Sequence, residues 1–448
     1  MIDYSLLFAV IAGIALLLFL ILHVKIQAFL SLLISSIAVG LLAGMPPSAI
    51  ADNIQQGMAG TLGFIAVVVG LGAMFGAILE SSGGVHSLAG YILKKTGDKR
   101  ASWAVAGTGF LVSIPVFFDV GFVILVPVIY ALQKKTGRSL LYYGIPLLAG
   151  LAVTHAFVPP TPGPVAVANI LGADLGLVIA SGLLAGIPAA IIGGPVFATY
   201  IAKRIHVEAP AFTETGSTAI KLPPPGIILG LVGLPLVLIL MNTYLDSPSG
   251  ENIPLPVGMK DVFKMLGHPF IALMVANLLA WYLLGIKRGF SKKDLLRITS
   301  SSLGTAGMII LITGAGGVFK QILTETGAGT MMAQLMTNYG FSAFFFAFFT
   351  AALIRIMQGS ATVAMITAAG MTASFLEGSS YTDMHRALLV VAISSGASIL
   401  SHVNDSGFWL VSKYFGLTER QTLQSWTITT TLIAVTGFLM VLLLSGLI

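Results

Sequence analysis

Long apolar stretches separated by short polar breaks run the length of the chain. A bilayer core takes about 20 apolar residues per helix. Stretches approaching or exceeding that length lie at roughly 5–22, 28–44, 61–80, 140–157, 177–200, 224–243, 262–284, 303–323, 385–402 and 424–447. The pattern predicts an all-α polytopic membrane protein with about ten full spans. The first run, Leu6 to Leu22, follows no basic segment and ends without a small-residue cleavage site. It is expected to stay as a helix rather than be removed as a signal peptide.

Two stretches break the scheme. Residues 101–133 are too short for two spans and a turn, and their middle reads Ile114-Pro115-Val116-Phe117-Phe118-Asp119-Val120-Gly121. Residues 340–377 repeat the pattern around Arg355-Ile356-Met357-Gln358-Gly359-Ser360-Ala361-Thr362. Each is expected to be a re-entrant hairpin, because irregular backbone at membrane depth is tolerated only against protein or a watery cavity. Two further segments read as broken helices. Residues 140–172 contain Val158-Pro159-Pro160-Thr161-Pro162-Gly163-Pro164, and residues 385–416 contain Ser401-His402-Val403-Asn404-Asp405-Ser406-Gly407. Four prolines in six residues cannot continue a helix.

The chain also matches itself. At an offset of 244, Gly60, Thr61, Gly63, Ile65, Gly70, Gly72, Phe75, Ile78, Leu79 and Gly83 meet identical residues from Gly304 to Gly327. Each half reads helix, hairpin, broken helix, helix. Basic clusters at Lys94–Arg100, Lys134–Arg138, Lys203–Arg204 and Lys287–Arg297 mark cytoplasmic loops, whereas the acidic, proline-bearing segment from Asp246 to Val257 faces outward. These assignments orient the halves oppositely, an inverted-repeat design found in secondary transporters. The expected organisation is scaffold helices over 1–58, a transport repeat over 59–204, a cytoplasmic linker over 205–226, more scaffold over 227–298, and a second transport repeat over 299–448.

Composition sharpens this. Hydrophobic residues make up 56% and charged residues 9%, where a soluble domain carries about 25% charged. Mean hydropathy is +0.97. A cytosolic enzyme, a secreted disulfide domain and a nucleic-acid-binding partner role are excluded. The net charge of +6 reflects the orienting loops. The absence of cysteine removes disulfides and thiolate chemistry, and no cofactor is expected. Gly314-Ala315-Gly316-Gly317-Val318-Phe319-Lys320 resembles a phosphate loop, but no Ser or Thr follows the lysine. Gly72 and Gly76 suit close helix packing.

The candidate chemistry lies at the four breaks. Helix N-termini starting there suit a carboxylate, and hydroxyl and amide side chains suit a polyol. The substrate-binding candidates are Thr161, Arg355, Gln358, Ser360, Thr362, Asn404 and Ser406. The proton-coupling candidates are Asp119, His155, His402 and Asp405, since ionisable groups inside a membrane default to function. Carbonyls at the breaks would suit Na⁺ as an alternative coupling ion. A rival class is an intramembrane hydrolase using Ser360 or Ser401 with His402 and Asp405. The twofold repeat argues against it.

At Gly60-Thr61-Leu62-Gly63, Phe117-Phe118-Asp119-Val120-Gly121, the 158–164 motif, Gln358-Gly359-Ser360-Ala361-Thr362-Val363-Ala364 and Ser401-His402-Val403-Asn404-Asp405-Ser406-Gly407-Phe408-Trp409, the chain resembles the gluconate:proton symporter family. The likeness runs nearly end to end. It implies proton-coupled uptake of gluconate or a related anionic sugar acid across the bacterial inner membrane. The superfamily implies a homodimer whose transport domains slide against a scaffold, an elevator mechanism. Asp119 stands where glutamate is common in the family, and Thr161 where gluconate-type members commonly carry histidine. Arg355 matches the gluconate-type members and favours a sugar acid over the zwitterion of the D-serine branch.

The orientation has a direct test. Single cysteines at Lys135 and Ser247 will react with a membrane-impermeant thiol reagent from opposite faces, the first only from the cytoplasmic side.

Overall fold

A computed structural model describes residues 4–96, 100–210, 222–246, 256–328, 342–373, 376, 381–403 and 405–447. The described residues are helical, with no strand among them. Seven helices are long and apolar enough to cross a membrane: 47–81, 141–171, 175–204, 225–246, 269–288, 292–325 and 419–445. The expected spans at 5–22, 28–44 and 385–402 fall on shorter helices, α1 (Tyr4–Phe19), α2 (Ala28–Leu42) and Asp383–Ser398. The expected span 262–284 is interrupted. One helix ends at Gly267 and the next begins at Pro269, where a proline at the first position needs no N–H partner.

The first half continues with α3 (Pro47–Ser81), α4 (Gly84–Thr96), α5 (Ala101–Val112) and α6 (Phe118–Thr136). Then come α7 (Leu141–Phe157), α8 (Pro162–Leu171), and α9 (Leu175–Ile191), which runs through a π turn into α10 (Phe197–Arg204). Between the halves lie α11 (Pro225–Asp246), α12 (Val257–Gly267) and α13 (Pro269–Ala280). The second half holds α14 (Lys292–Glu325), α15 (Ala343–Gln358), α16 (Ala361–Ala373), α17 (Asp383–Ser398) and α18 (Ser406–Phe415). A short turn and a π turn, Leu423–Thr427, lead into α19 (Ile428–Ser445).

Both anticipated hairpins are helix pairs, α5–α6 and α15–α16, and both anticipated breaks interrupt a helix, between α7 and α8 and between α17 and α18. Helices α8 and α18 lie 244 residues apart at both ends. Each stops at a left-handed glycine, Gly172 (φ 63°) and Gly416 (φ 64°), a conformation that side chains with a Cβ rarely adopt. Helices α3 and α14 also end 244 residues apart, and they run unbroken across positions 58/59 and 298/299.

In lipid, helices gain little from hydrophobic burial and associate through close packing. Glycines supply it here. A Cβ on Gly150 of α7 would strike the Ala106 carbonyl and the Phe110 nitrogen of α5, and one on Gly396 of α17 would strike the Phe348 carbonyl of α15. Each hairpin thus rests on the helix that precedes the break. Those helices, α7 and α17, are largely buried, with every residue from Ala387 to Ala397 inside. The Gly72/Gly76 face, expected to take another helix, takes turns instead. Gly76 sits against the Pro115 carbonyl at the first hairpin tip, and a Cβ on Gly72 would lie 3.4 Å from the Pro160 carbonyl.

Residues 205–209, where the linker is expected to begin, are pinned to α6 and the start of α7. The Leu140 N–H donates to the Val207 carbonyl at 2.7 Å, Ser139 Oγ to the Ile205 carbonyl at 2.8 Å, and the Ala209 N–H to Gln133 Oε1 at 3.2 Å.

Gly150→Ala will lower stability by about 1–3 kcal/mol, because overpacking against backbone forces the helices apart. Gly63→Ala, where a Cβ meets open space, will not. Thermal unfolding of the detergent-purified variants gives the comparison.

Candidate functional site

The hairpin tips and broken helices enclose a cavity of about 540 Å³. Three helices begin at its wall. Phe118, Asp119 and Val120 open α6, Ala361 and Thr362 open α16, and Ser406 and Gly407 open α18. Their first-turn N–H groups concentrate partial positive charge there. The rest of the polar wall is His155, Arg355, Gln358, Ser360, Ser398, Asp405, Trp426 and Thr430.

At its centre is a buried ion pair, Arg355 with Asp405, exposed by 5% and 9%. Asp405 Oδ2 accepts from both the Arg355 guanidinium and the Ser401 hydroxyl. Its Oδ1 caps α18 by accepting from the Gly407 N–H at 3.0 Å. Ser401 is itself fixed. Its Oγ accepts from Trp426 Nε1 at 2.7 Å, its N–H donates to Thr430 Oγ1 at 3.1 Å, and its carbonyl accepts from Thr427. The Arg355 Nε–H has no protein partner among the described residues.

Asp119 differs. It is solvent-accessible on the cavity wall, and no ion pair among the described residues engages it. His155 lies in the last turn of α7, its ring in an edge-to-face contact with Phe117, centroids 6.1 Å apart, and its buried Nδ1 has no partner among the described residues. Ser360 caps α16, its Oγ accepting from the Val363 N–H at 3.3 Å, while Gln358 Oε1 accepts from the Ser360 N–H at 3.3 Å.

Eight of the eleven candidates therefore share one cavity: Asp119, His155, Arg355, Gln358, Ser360, Thr362, Asp405 and Ser406. Thr161 does not. Its hydroxyl turns back to the Val158 carbonyl at 2.7 Å, and it lines a separate narrow crevice with Val69, Gly72 and Phe117. His402 is absent from the wall as well, its Nε2 lying 2.8 Å from the Ile356 carbonyl. Asn404 lies outside the described residues. The hydrolytic arrangement is not formed among the described residues: the Ser401 hydroxyl engages Asp405 and Trp426, Ser360 Oγ accepts from the Val363 N–H, and His402 Nε2 pairs with the Ile356 carbonyl. Sequence reasoning missed Ser398, Trp426 and Thr430. The signal for the last two was the hydroxyl-rich run Ser425-Trp426-Thr427-Ile428-Thr429-Thr430-Thr431 inside an apolar span.

The chain matches the GntP family permease description over residues 4–448. It belongs to the GntP permease family. Similar proteins include the low-affinity gluconate transporter of Escherichia coli K12, 38% identical over 98% of this chain and 97% of that protein. Another is the gluconate permease of Pseudomonas aeruginosa, 39% identical over 94% of this chain and 93% of that protein. Among solved structures, the YdaH transporter of Alcanivorax borkumensis shares the fold, with a TM-score of 0.66 at 16% identity, covering 94% of this chain and 98% of that one. This GntP permease is a multi-pass protein of the bacterial inner membrane and not an enzyme.

Removing one partner of a buried ion pair costs about 3–5 kcal/mol, because the other charge stays buried and unpaired. Asp405→Ala in this permease will lower unfolding stability by that order, and Asp405→Ala combined with Arg355→Met will recover much of the loss. Denaturant unfolding of both variants in detergent measures it.

Proposed function

We propose that this permease imports gluconate or a related sugar acid together with protons. The observation that carries the reading is a cavity where, among the described residues, the only lining arginine is held by one carboxylate while a second, Asp119, faces the same space with no ion-pair partner. With both acids ionised, the wall carries one more negative charge than positive. A substrate carboxylate adds another, and charge repulsion inside low-dielectric protein is strong. A proton on Asp119 removes the excess. By linkage, whatever makes the proton favour the anion makes the anion favour the proton equally. Asp405 is already engaged by three donors, the Arg355 guanidinium, the Ser401 hydroxyl and the Gly407 N–H.

In this reading the substrate carboxylate lies near Arg355 and the helix N-termini. Its hydroxyls meet Gln358, Ser360, Thr362 and Ser406, with Ser398 and Thr430 opposite. Substrate naming among the similar proteins supports gluconate as the first test compound.

The reading extends to an inverted repeat acting as a homodimeric elevator, with residues 1–58 and 227–298 as scaffold. The matched bounds of α8 with α18 support the repeat. The low burial of α11 relative to the other six long apolar helices supports its place at an outer or subunit-facing surface.

In proteoliposomes with an inward proton gradient and no Na⁺, labelled gluconate will accumulate, and a protonophore will abolish the accumulation. Asp119→Asn will lose gradient-driven accumulation at least tenfold while keeping measurable gluconate counterflow. Uptake that requires Na⁺ and ignores the proton gradient would sink the proposal.

A further inference from the structure

Trp426 sits in the π turn that leads into α19, and such turns recur at functional sites. It is 3% exposed and contacts the neighbours of both charged regions, Ser401 beside the ion pair and Phe118 beside Asp119. A buried indole N–H needs one acceptor, and any carbonyl would serve. Here the acceptor is the Ser401 hydroxyl, whose own proton goes to the Asp405 oxygen that holds Arg355. The chain of contacts is Trp426 to Ser401 to Asp405 to Arg355.

The indole ring faces the other way. It stacks on Phe118, centroids 5.6 Å apart and planes 25° apart. Phe118 begins α6 and directly precedes Asp119. Behind it, Phe118 stacks on Phe122, which meets Phe415 of α18 edge-on at 5.4 Å. The first hairpin is thereby keyed to the second half by rings, and Trp426 alone among these rings also belongs to the arginine's hydrogen-bond chain. The other ionisable groups on the cavity wall, His155 and Asp119 itself, make no hydrogen bond to this chain among the described residues.

We infer that Trp426 is a positioning residue that couples the pose of Arg355 to the hairpin carrying Asp119. When the hairpin seats Phe118 against the indole, the Nε1–H is aimed at Ser401, and Asp405 and Arg355 are locked for the anion. When the hairpin moves, the stack loosens and the lock loosens with it. This deepens the proton-coupled sugar-acid reading and rests on it. Trp426 fixes the arginine only in the arrangement in which the proton-bearing hairpin is also in place.

Gluconate flux in proteoliposomes tests the inference. Trp426→Phe keeps a stacking ring and removes the N–H, and Ser401→Ala removes the next link. Each will raise the gluconate KM about tenfold, and the double variant will raise it no further, because both cut one chain. At saturating gluconate, exchange will fall less than threefold while accumulation at a fixed proton gradient falls at least tenfold. Phe118→Leu cuts the stack and leaves the polar chain. It will lower accumulation in the same way with a smaller change in KM, which keeps the test available should Trp426→Phe melt early. Additive effects of Trp426→Phe and Ser401→Ala on KM, unchanged KM in both, or parallel loss of exchange and accumulation in all three variants overturn the inference while leaving the symport reading intact. A wild-type protein that accumulates no gluconate overturns the reading and the inference together.

Discussion

An arginine and an aspartate paired in the interior of an apolar protein dominate this structure. Removing such ions from water costs several kcal/mol each, recovered only when geometry and extra hydrogen bonds are good. The chain meets that requirement locally. The helix breaks between Ser398 and Ser406, so that Asp405 can cap α18 and still reach Arg355. The following span takes a π turn where Trp426 donates to Ser401. A continuous helix through 399–405 would remove the cap and misdirect the carboxylate. Those breaks need protein around them, and the hairpins supply it, seated on α7 and α17 through glycine contacts.

The two halves use similar frames for different chemistry. Thr161 and Asp405 occupy the same place, each preceding the first residue of a ten-residue helix that ends at a left-handed glycine. Thr161 satisfies itself on its own turn. Asp405 reaches across to another element. The first half instead contributes its charge at the hairpin, through Asp119. The charge pattern is thus asymmetric on matched helical frames. Side chains also tie the halves together at one shared position. The Ile170 carbonyl of α8 accepts from Lys320 at 2.7 Å, and the Tyr414 carbonyl, 244 residues on, accepts from Tyr130.

Much of this was legible in the sequence because it depends on residue type and spacing. The proline run 159–164 has to break a helix, and the matched glycines Gly172 and Gly416 suit the left-handed turn that ends each ten-residue helix. What escaped depends on side-chain direction inside a break, which no periodicity encodes. Thr161 and His402 sit in the right segments yet turn to local carbonyls. Trp426 read as an ordinary residue of a span, because its importance comes from Ser401, 25 positions earlier. The interruption at Gly267-His268-Pro269 was readable as a stop followed by a helix-starting proline, and the long apolar run around it hid the signal.

Phe117 borders three spaces at once: the central cavity, the crevice beside Thr161, and a cavity of about 280 Å³ lined by Glu80, Ser301 and Ser302. With Val120, its ring forms the wall shared by the central cavity and the Glu80 cavity. The same side chain lines all three spaces, so a change of size or rotamer at Phe117 alters their boundaries together.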